Sequence, residues 1–252
     1  MTSVASAPPG ADPVERFLHR LSNFEPLDPE AKEALRRSIQ RGALVPPYQE
    51  VTGETMHDVL VLLTGWACHS QMLGNGKRQI TTLVVPGDYT GFGFLTGSDA
   101  YSHYVTTTPS QFGRIRLRQF TEITERYPAV MRATLKASAT ESAIGRERLI
   151  SLGLRTAVER LSHLICEIWC RLSVVGLVTS DNSLVLPMTQ AELGAALGLS
   201  TVHVNRTLQS LRKRGCIDLQ GKRVQIHDLK YLMSLASFDP DYLSGNSVRR
   251  DP

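Results

Sequence analysis

The sequence predicts an α+β chain: an N-terminal antiparallel β-roll, or jelly roll, then a long helix, then a C-terminal winged helix-turn-helix. Three observations carry this. From about Gly42 to Arg118, short runs rich in Val, Thr, Tyr and Leu alternate with turn signals. After Pro128 the pattern turns helical and stays so for many turns. Between Thr189 and Leu211 a capped helix, a glycine turn and a second capped helix follow in close succession.

Length and composition agree with a folded chain. At 252 residues, with 42% hydrophobic and 21% charged residues, it can bury a sensor-sized core and a second, smaller one. The net charge of +4 permits a polyanionic partner without requiring one; the clustering of charge decides more than its total. The leading MTSVASAPPGADP has neither a basic nor an apolar segment of the secretory kind, so no export signal is expected. Val59 to Leu63, extended loosely to Cys68, is the longest apolar run and is too short to span a bilayer. Cys68, Cys166, Cys170 and Cys216 form no CxxC pair and no disulfide-framework spacing. A cytoplasmic protein with reduced thiols and no membrane partner is the expectation.

Taken in order, residues 1–13 are rich in Pro, Ala, Gly and Ser and read as a disordered leader. Val14 to Leu21 reads as a short helix. Asp28-Pro29-Glu30 opens another, with Asp28 as cap, Pro29 in the first turn, and Leu35 and Ile39 at helical spacing. The roll and its flanking helices are assigned to 14–127. Its turns are Thr52-Gly53-Glu54, Thr64-Gly65, Gly74-Asn75-Gly76, Pro86-Gly87-Asp88 and Thr96-Gly97-Ser98. Leu73 to Lys77 reads as a hairpin closed by an Asn-Gly primed turn.

Phe120 to Arg126 forms a short helix, and Pro128 suits the first turn of the long one, assigned with its hinge to 128–152. Val130, Ala133, Ala137, Ile144 and Ile150 mark a partly apolar stripe padded with small residues, which lets another element approach closely. Either this stripe packs on the chain's own roll or it faces a twin helix. Two-fold symmetry favours the twin, which makes Val130, Ala133, Ala137 and Ile144 candidate dimer-interface residues. Leu152-Gly153-Leu154 reads as a hinge. Arg155 to about Val175 resumes a helix, with Val158, Leu161, Leu164, Ile165, Ile168, Trp169 and Leu172 apolar, and Gly176 to Ser183 is a polar turn.

The segment 153–240 holds the functional pattern, followed by a tail at 241–252. Thr189 with Glu192 is a capping box, Leu193 and Leu197 share a face, and Gly198 falls where the turn needs a left-handed residue. Ser200 can cap the next helix, whose buried side is Val204, Leu208 and Leu211. The opposite side carries Thr201, Val202, Asn205, Arg206 and Gln209. These are mostly hydrogen-bonding residues able to read base edges, with one aliphatic able to touch a thymine methyl. Arg206, Arg212, Lys213, Arg214, Lys222 and Arg223 cluster nearby, opposed by Asp218, and supply phosphate contacts to double-stranded DNA. Cys216 to Leu219 and Arg223 to Ile226, joined through Gln220-Gly221-Lys222, form a small hairpin with a basic tip, the wing. Asp228 to Leu232 begins a closing helix.

These residues resemble the Crp/Fnr family of bacterial transcription regulators over nearly everything after the leader. The roll contributes Val61-Leu62-Leu63-Thr64-Gly65, Gly76-Lys77-Arg78-Gln79-Ile80 and Val85-Pro86-Gly87-Asp88. The specific part is Leu199-Ser200-Thr201-Val202-His203-Val204-Asn205-Arg206-Thr207-Leu208. It is similar to a branch common in alphaproteobacteria whose effectors are mostly undefined. The resemblance implies a homodimer held by the long helix on a near-palindromic operator, and RNA polymerase as a further partner if the outcome is activation. It places Thr201, Val202, Asn205 and Arg206 at base-contacting positions, with Arg206 as the usual guanine reader. Thr189, Ser200 and His203 fall at phosphate-contacting positions, beside Arg212, Lys213 and Lys222. Val202 departs from the family's best-known members, which carry a glutamate there, so TGTGA and TTGAT half-sites do not carry over.

Other function classes find less support. For a metal oxygenase, His57, His69 and His103 are scattered, and no HExxH, G-x-S-x-G or P-loop occurs, so no catalytic residue is assigned. Gly91-Phe92-Gly93-Phe94 lacks the spacing of a phosphate loop. His163, Cys166 and Cys170 share a helix face and present either a three-ligand set or small packing residues; packing is the plainer reading, and no metal is assigned. Cys216 follows a basic run that would lower its pKa, or else is a half-buried strand residue. Family members with iron–sulfur clusters carry an N-terminal cysteine group, whereas here no cysteine precedes Cys68, so no cluster is expected. Ligand-binding relatives follow Pro-Gly-Asp with Gly-Glu and later Arg-Ser or Arg-Thr. Here Phe92 follows Gly91, and no Arg or Lys lies between Arg78 and Arg114, so cyclic AMP is not expected; either Asp99 and His103 serve a different ligand or the pocket is vestigial.

Overall fold

A computed structural model describes residue 10 and residues 12–51, 58–90 and 104–244. His57, Phe92, Asp99, His103, the Gly91 to Phe94 segment, the turns at Thr52 and Thr96, and the end of the tail lie outside the described residues. The chain divides into two compact units. One is Met1–His69, Thr82–Thr140 and Val174–Gly176; the other is Ser70–Thr81, Glu141–Ser173 and Leu177–Pro252.

The first unit starts with helix α1 (Pro13–Phe24), longer than expected at both ends. Asp12 caps it and also pairs with Arg41 at 2.6 Å, so Asp12 and Pro13 belong to the fold and not to the leader. Helix α2 (Pro29–Ser38) begins as expected, with Asp28 Oδ1 accepting from the Ala31 N–H at 2.7 Å. Strands β1 (Gln40–Val45), β2 (Glu50–Val51), β3 (Val59–Thr64), β4 (Ala67–Met72), β5 (Arg78–Val84), β6 (Tyr89–Thr90), β7 (Tyr104–Thr106) and β8 (Ser110–Ile115) follow. They form sheets of order β1-β8-β3-β6 and β2-β7-β4-β5.

Strand β3 shows why its sequence is an unbroken apolar run. Successive side chains point to opposite faces, and here both faces are covered. Leu60 and Leu62 join Ala67, Val84, Tyr104 and Phe112 between the sheets. Val59, Val61 and Leu63 face the helices, in a core with Phe17, Leu21, Leu35, Ile115 and Phe120. The Pro86-Gly87-Asp88 turn is tied to α1 by an Arg20–Asp88 ion pair at 3.0 Å. Gly87 sits at φ 87°, where a Cβ would press on the Arg16 carbonyl at 3.1 Å, so glycine is needed there on two counts.

The β4–β5 connection differs from the expected primed turn. Only Gly76 takes a positive φ, at 78°; the Gly76 N–H donates to the Leu73 carbonyl, and the Asn75 side chain accepts from the Lys77 N–H. A turn followed by one left-handed glycine makes the longer type of hairpin loop.

Helix α3 (Leu117–Arg126) leads into α4 (Pro128–Leu154). The structure assigns Val130, Ala133 and Ala137 to the chain's own helix-side core, the other of the two readings of that stripe. Ile144 is half-buried. The side of α4 left open carries Leu135 and Leu149, which are 51% and 71% exposed. The expected hinge at Leu152 to Leu154 is helical, and the chain breaks instead at Arg155-Thr156 before helix α5 (Ala157–Val174). The reason is local. The Thr156 N–H donates to Glu159 at 2.7 Å, and the Thr156 hydroxyl accepts from the Glu159 N–H at 3.4 Å, a second capping box. Arg160 then donates to the carbonyls of Leu152, Arg155 and Leu197, satisfying acceptors that the helix ends leave open.

Within the second unit, strands β9 (Ser183–Val185), β10 (Ile217–Gln220) and β11 (Arg223–Ile226) form a sheet of order β10-β11-β9. Helices α6 (Gln190–Leu197), α7 (Thr201–Lys213) and α8 (Leu229–Leu235) complete it, with a 3-10 turn at Pro240–Leu243. Strand β9 starts at Ser183, the last residue of the expected polar turn, and its three residues are too few to announce a strand; β11 recruits it.

Phe17 is fully buried and meets Tyr89 edge to face at 5.4 Å. Phe17→Ala is expected to cost about 3–5 kcal/mol in the first unit. Urea unfolding followed by tyrosine fluorescence checks this, and a midpoint unchanged from the wild type would remove Phe17 from the core's main supports.

Candidate nucleic-acid interface

The site is built on α6 and α7. Thr189 caps α6 reciprocally: its hydroxyl oxygen accepts from the Glu192 N–H at 3.1 Å, and Glu192 Oε2 accepts from the Thr189 N–H at 2.7 Å. The helix ends at Gly198, left-handed at φ 66°, where a Cβ would lie 3.0 Å from Leu152 Cδ2. The Leu199 N–H returns to the Gly194 carbonyl at 3.0 Å and closes the turn. Gly194 is needed as well, because a Cβ there would lie 2.5 Å from the Leu199 carbonyl oxygen. Ser200 caps α7 by accepting from the His203 N–H at 3.3 Å.

Helix α7 divides as its sequence predicts. Val204, Leu208 and Leu211 are buried, joined by Thr207, whose hydroxyl donates to the His203 carbonyl at 2.7 Å. Thr201, Val202, His203, Arg206 and Gln209 are exposed and Asn205 is half-buried, so the expected base-reading residues share one open face. Gln209 Nε2 donates to Asn205 Oδ1 at 3.1 Å.

Arg212, Lys213, Arg214, Lys222 and Arg223 are all exposed. Arg212 approaches Asp218 at 3.4 Å. The Asp218 carboxyl is held below the usual range, first by the Leu219 N–H, then by Gln220, and less by Arg212 and His227. Thr189 and Ser200 are exposed at the helix starts, and their hydroxyls serve as caps; the Thr189 hydroxyl also donates to Glu192 Oε2 at 2.9 Å. A cleft of about 460 Å³ opens beside α7, lined by Gln209, Arg212, Lys213, Gly215, Ile217, Asp218 and His227. His227 was not foreseen there, since it reaches the cleft only through the pairing of β10 with β11.

Cys166 is buried and Cys170 half-buried. Burial pushes both thiols up, Cys170 to about 12. Cys216 is buried too, and burial raises its thiol more than Arg214 lowers it, which goes against the reactive of the two readings. Among the described residues no cluster of three or more His, Cys, Asp and Glu is placed to hold a metal ion.

A capped helix pair with a buried apolar seam, an open polar face and a basic two-stranded wing defines a winged helix-turn-helix of the DNA-binding class. Comparison with known proteins agrees. Residues 159–235 match the Crp-like helix-turn-helix domain, and residues 51–127 match the cyclic nucleotide-binding domain. The chain is 31% identical over 194 residues to the transcriptional activator protein FnrL of Cereibacter sphaeroides, covering 75% of this chain and 77% of FnrL. It is 26% identical to the nitrogen fixation regulation protein FixK of Azorhizobium caulinodans, covering 73% of each. The solved structure of FixK2 from Bradyrhizobium japonicum shares its fold, with a TM-score of 0.66 at 22% identity over 78% of this chain and 96% of that one. The chain belongs to the Crp/Fnr family of transcription regulators.

Proposed function

We propose that the chain binds a near-palindromic DNA operator as a homodimer, placing one α7 in the major groove of each half-site. The observation that carries this is the division of α7: Val204, Leu208 and Leu211 are buried while Thr201, Val202, Asn205, Arg206 and Gln209 stand together on the opposite face. Those five make up the base-reading face, Arg206 taking guanine through its bidentate fork. Thr189, Ser200, His203, Arg212, Lys213 and Lys222 set the register on the phosphates. The activator name of FnrL supports RNA polymerase as a further partner and the cytoplasm as the compartment. Among the described residues no helix is long and apolar enough to cross a membrane.

The dimer reading moves to the open side of α4. Leu135, Ser142 and Leu149 repeat every seven residues, and all three are exposed. Exposed Ala139 and Gly145 lie between them, and a Cβ built at Gly145 meets nothing within 4 Å. A heptad of large and small residues suits a parallel twin, and two-fold symmetry sets two recognition helices about 34 Å apart on one face of DNA.

The roll is read as taking neither cyclic AMP nor an iron–sulfur cluster. A buried cyclic phosphate needs a permanent cation, and no Arg or Lys lies in sequence between Arg78 and Arg114. The four cysteines, beginning at Cys68, do not follow an N-terminal cluster pattern.

Arg206→Ala is expected to cost about 1–3 kcal/mol of operator affinity and to relax preference at one base pair per half-site. Lys213→Ala should weaken all sequences alike and reduce the salt slope by about 1. Gel-shift titration across a salt series separates the two, and full affinity in Arg206→Ala would remove α7 from the groove. Leu135→Glu should give monomers in sedimentation, with much weaker operator binding; a dimeric Leu135→Glu would place the interface elsewhere. Calorimetry with cyclic AMP should show no heat at micromolar concentrations, and saturable binding there would overturn the reading of the roll.

A further inference from the structure

The five readers on α7 are not independent. Gln209 lies one helical turn after Asn205, and its Nε2 donates to Asn205 Oδ1 at 3.1 Å. A side-chain amide offers a carbonyl oxygen with two lone pairs and an NH2 with two donors. Held by Gln209, the Asn205 amide keeps one orientation: its oxygen has one lone pair engaged and one open, and its Nδ2 remains a donor. The open set is therefore one acceptor beside one donor, in fixed order.

In the major groove that pair matches one base edge. Adenine presents the N7 acceptor beside the N6 donor. Guanine presents two acceptors, and cytosine and thymine present one polar group each. Thr201, Val202, Arg206 and Gln209 include no carboxylate to accept from cytosine N4. Val202, one turn before Asn205 on the same side and 57% exposed, has no polar group at all and can mark only a thymine methyl.

We infer that Asn205 selects an adenine at one position of each half-site, with Gln209 as the positioning residue that fixes its amide and Val202 set against a neighbouring thymine methyl. This rests on the reading of α7 as the recognition helix. Gln209 contributes to specificity through its bond to Asn205, so its loss blurs one position and leaves the others intact. A bidentate amide–adenine pair discriminates by about tenfold or more.

The test is selection of bound sequences from a random double-stranded DNA pool with the full-length wild type, Asn205→Asp, Gln209→Met and Arg206→Ala, followed by titration of single-base operator variants. The wild type should select a two-fold motif with one adenine per half-site that costs tenfold or more to replace. Asn205→Asp, an acceptor without a donor, should lose that preference and shift it toward cytosine. Gln209→Met should narrow the adenine preference severalfold at that position only, while Arg206→Ala relaxes a different position. A motif with no fixed adenine, or an Asn205→Asp or Gln209→Met protein whose base preferences match the wild type, would overturn this inference and leave the recognition helix in place. Failure of the wild type to select any motif would instead overturn the reading of α7 itself. Circular dichroism of each variant confirms that the fold is intact.

Discussion

The burial of Val204, Leu208 and Leu211 under α7 is the contact on which the site depends. Each buried aliphatic side chain contributes about 1.5–3 kcal/mol, enough together to fix the helix's rotation about its own axis. Once that rotation is set, the residues on the opposite side have no freedom over which way they face. The face that α7 offers for the proposed base contacts is therefore decided by apolar residues that lie on its other side. The Gly198 turn supports the same outcome. At φ 66° it redirects the chain within one residue, and Leu152 lies too close for a side chain there.

Helix α4 shows a different constraint, because it is apolar on more than one side. At its start Val130, Ala133 and Ala137 close the helix-side core of the roll, where Phe120 and Leu35 already pack. Leu135 and Leu149 lie outside that core and stay 51% and 71% exposed. A helix apolar on two sides carries no single stripe, which is why small residues at helical spacing were open to both readings. Periodicity gives the angle between residues but not which angle faces inward. Leu135 and Leu149 stand fourteen residues apart, as Val130 and Ile144 do, so spacing alone does not separate the two sides.

The helix-turn-helix was legible because its signals are local. A capping box, a turn glycine and leucines three and four apart each act within a few residues, and each stands where the sequence placed it. What the sequence did not show is nonlocal or permissive. Strand β9 exists through its pairing with β11 across some forty residues. Gly153 looked like a hinge, yet an exposed glycine in a helix costs only about 1 kcal/mol, and the helix runs through it. The true break at Arg155-Thr156 had a local signal, the Thr156–Glu159 box, overshadowed by the more familiar glycine. The Asn75-Gly76 turn took the looser hairpin form because an Asn-Gly pair permits a primed turn without requiring one.

Charge and specificity are also divided on this surface. Of the five side chains on the open face of α7, only Arg206 is charged; Thr201, Val202, Asn205 and Gln209 are neutral. The exposed Arg212, Lys213, Arg214, Lys222 and Arg223 lie beyond that face, at the end of α7 and on the wing. Attraction to phosphate falls with salt as counterions compete, whereas amide and methyl contacts to bases do not involve counterion release. On the proposed contacts, affinity and sequence preference rest on largely separate residues: rising salt weakens every complex through the basic cluster, while the ranking of operators rests on Arg206 and the neutral side chains beside it.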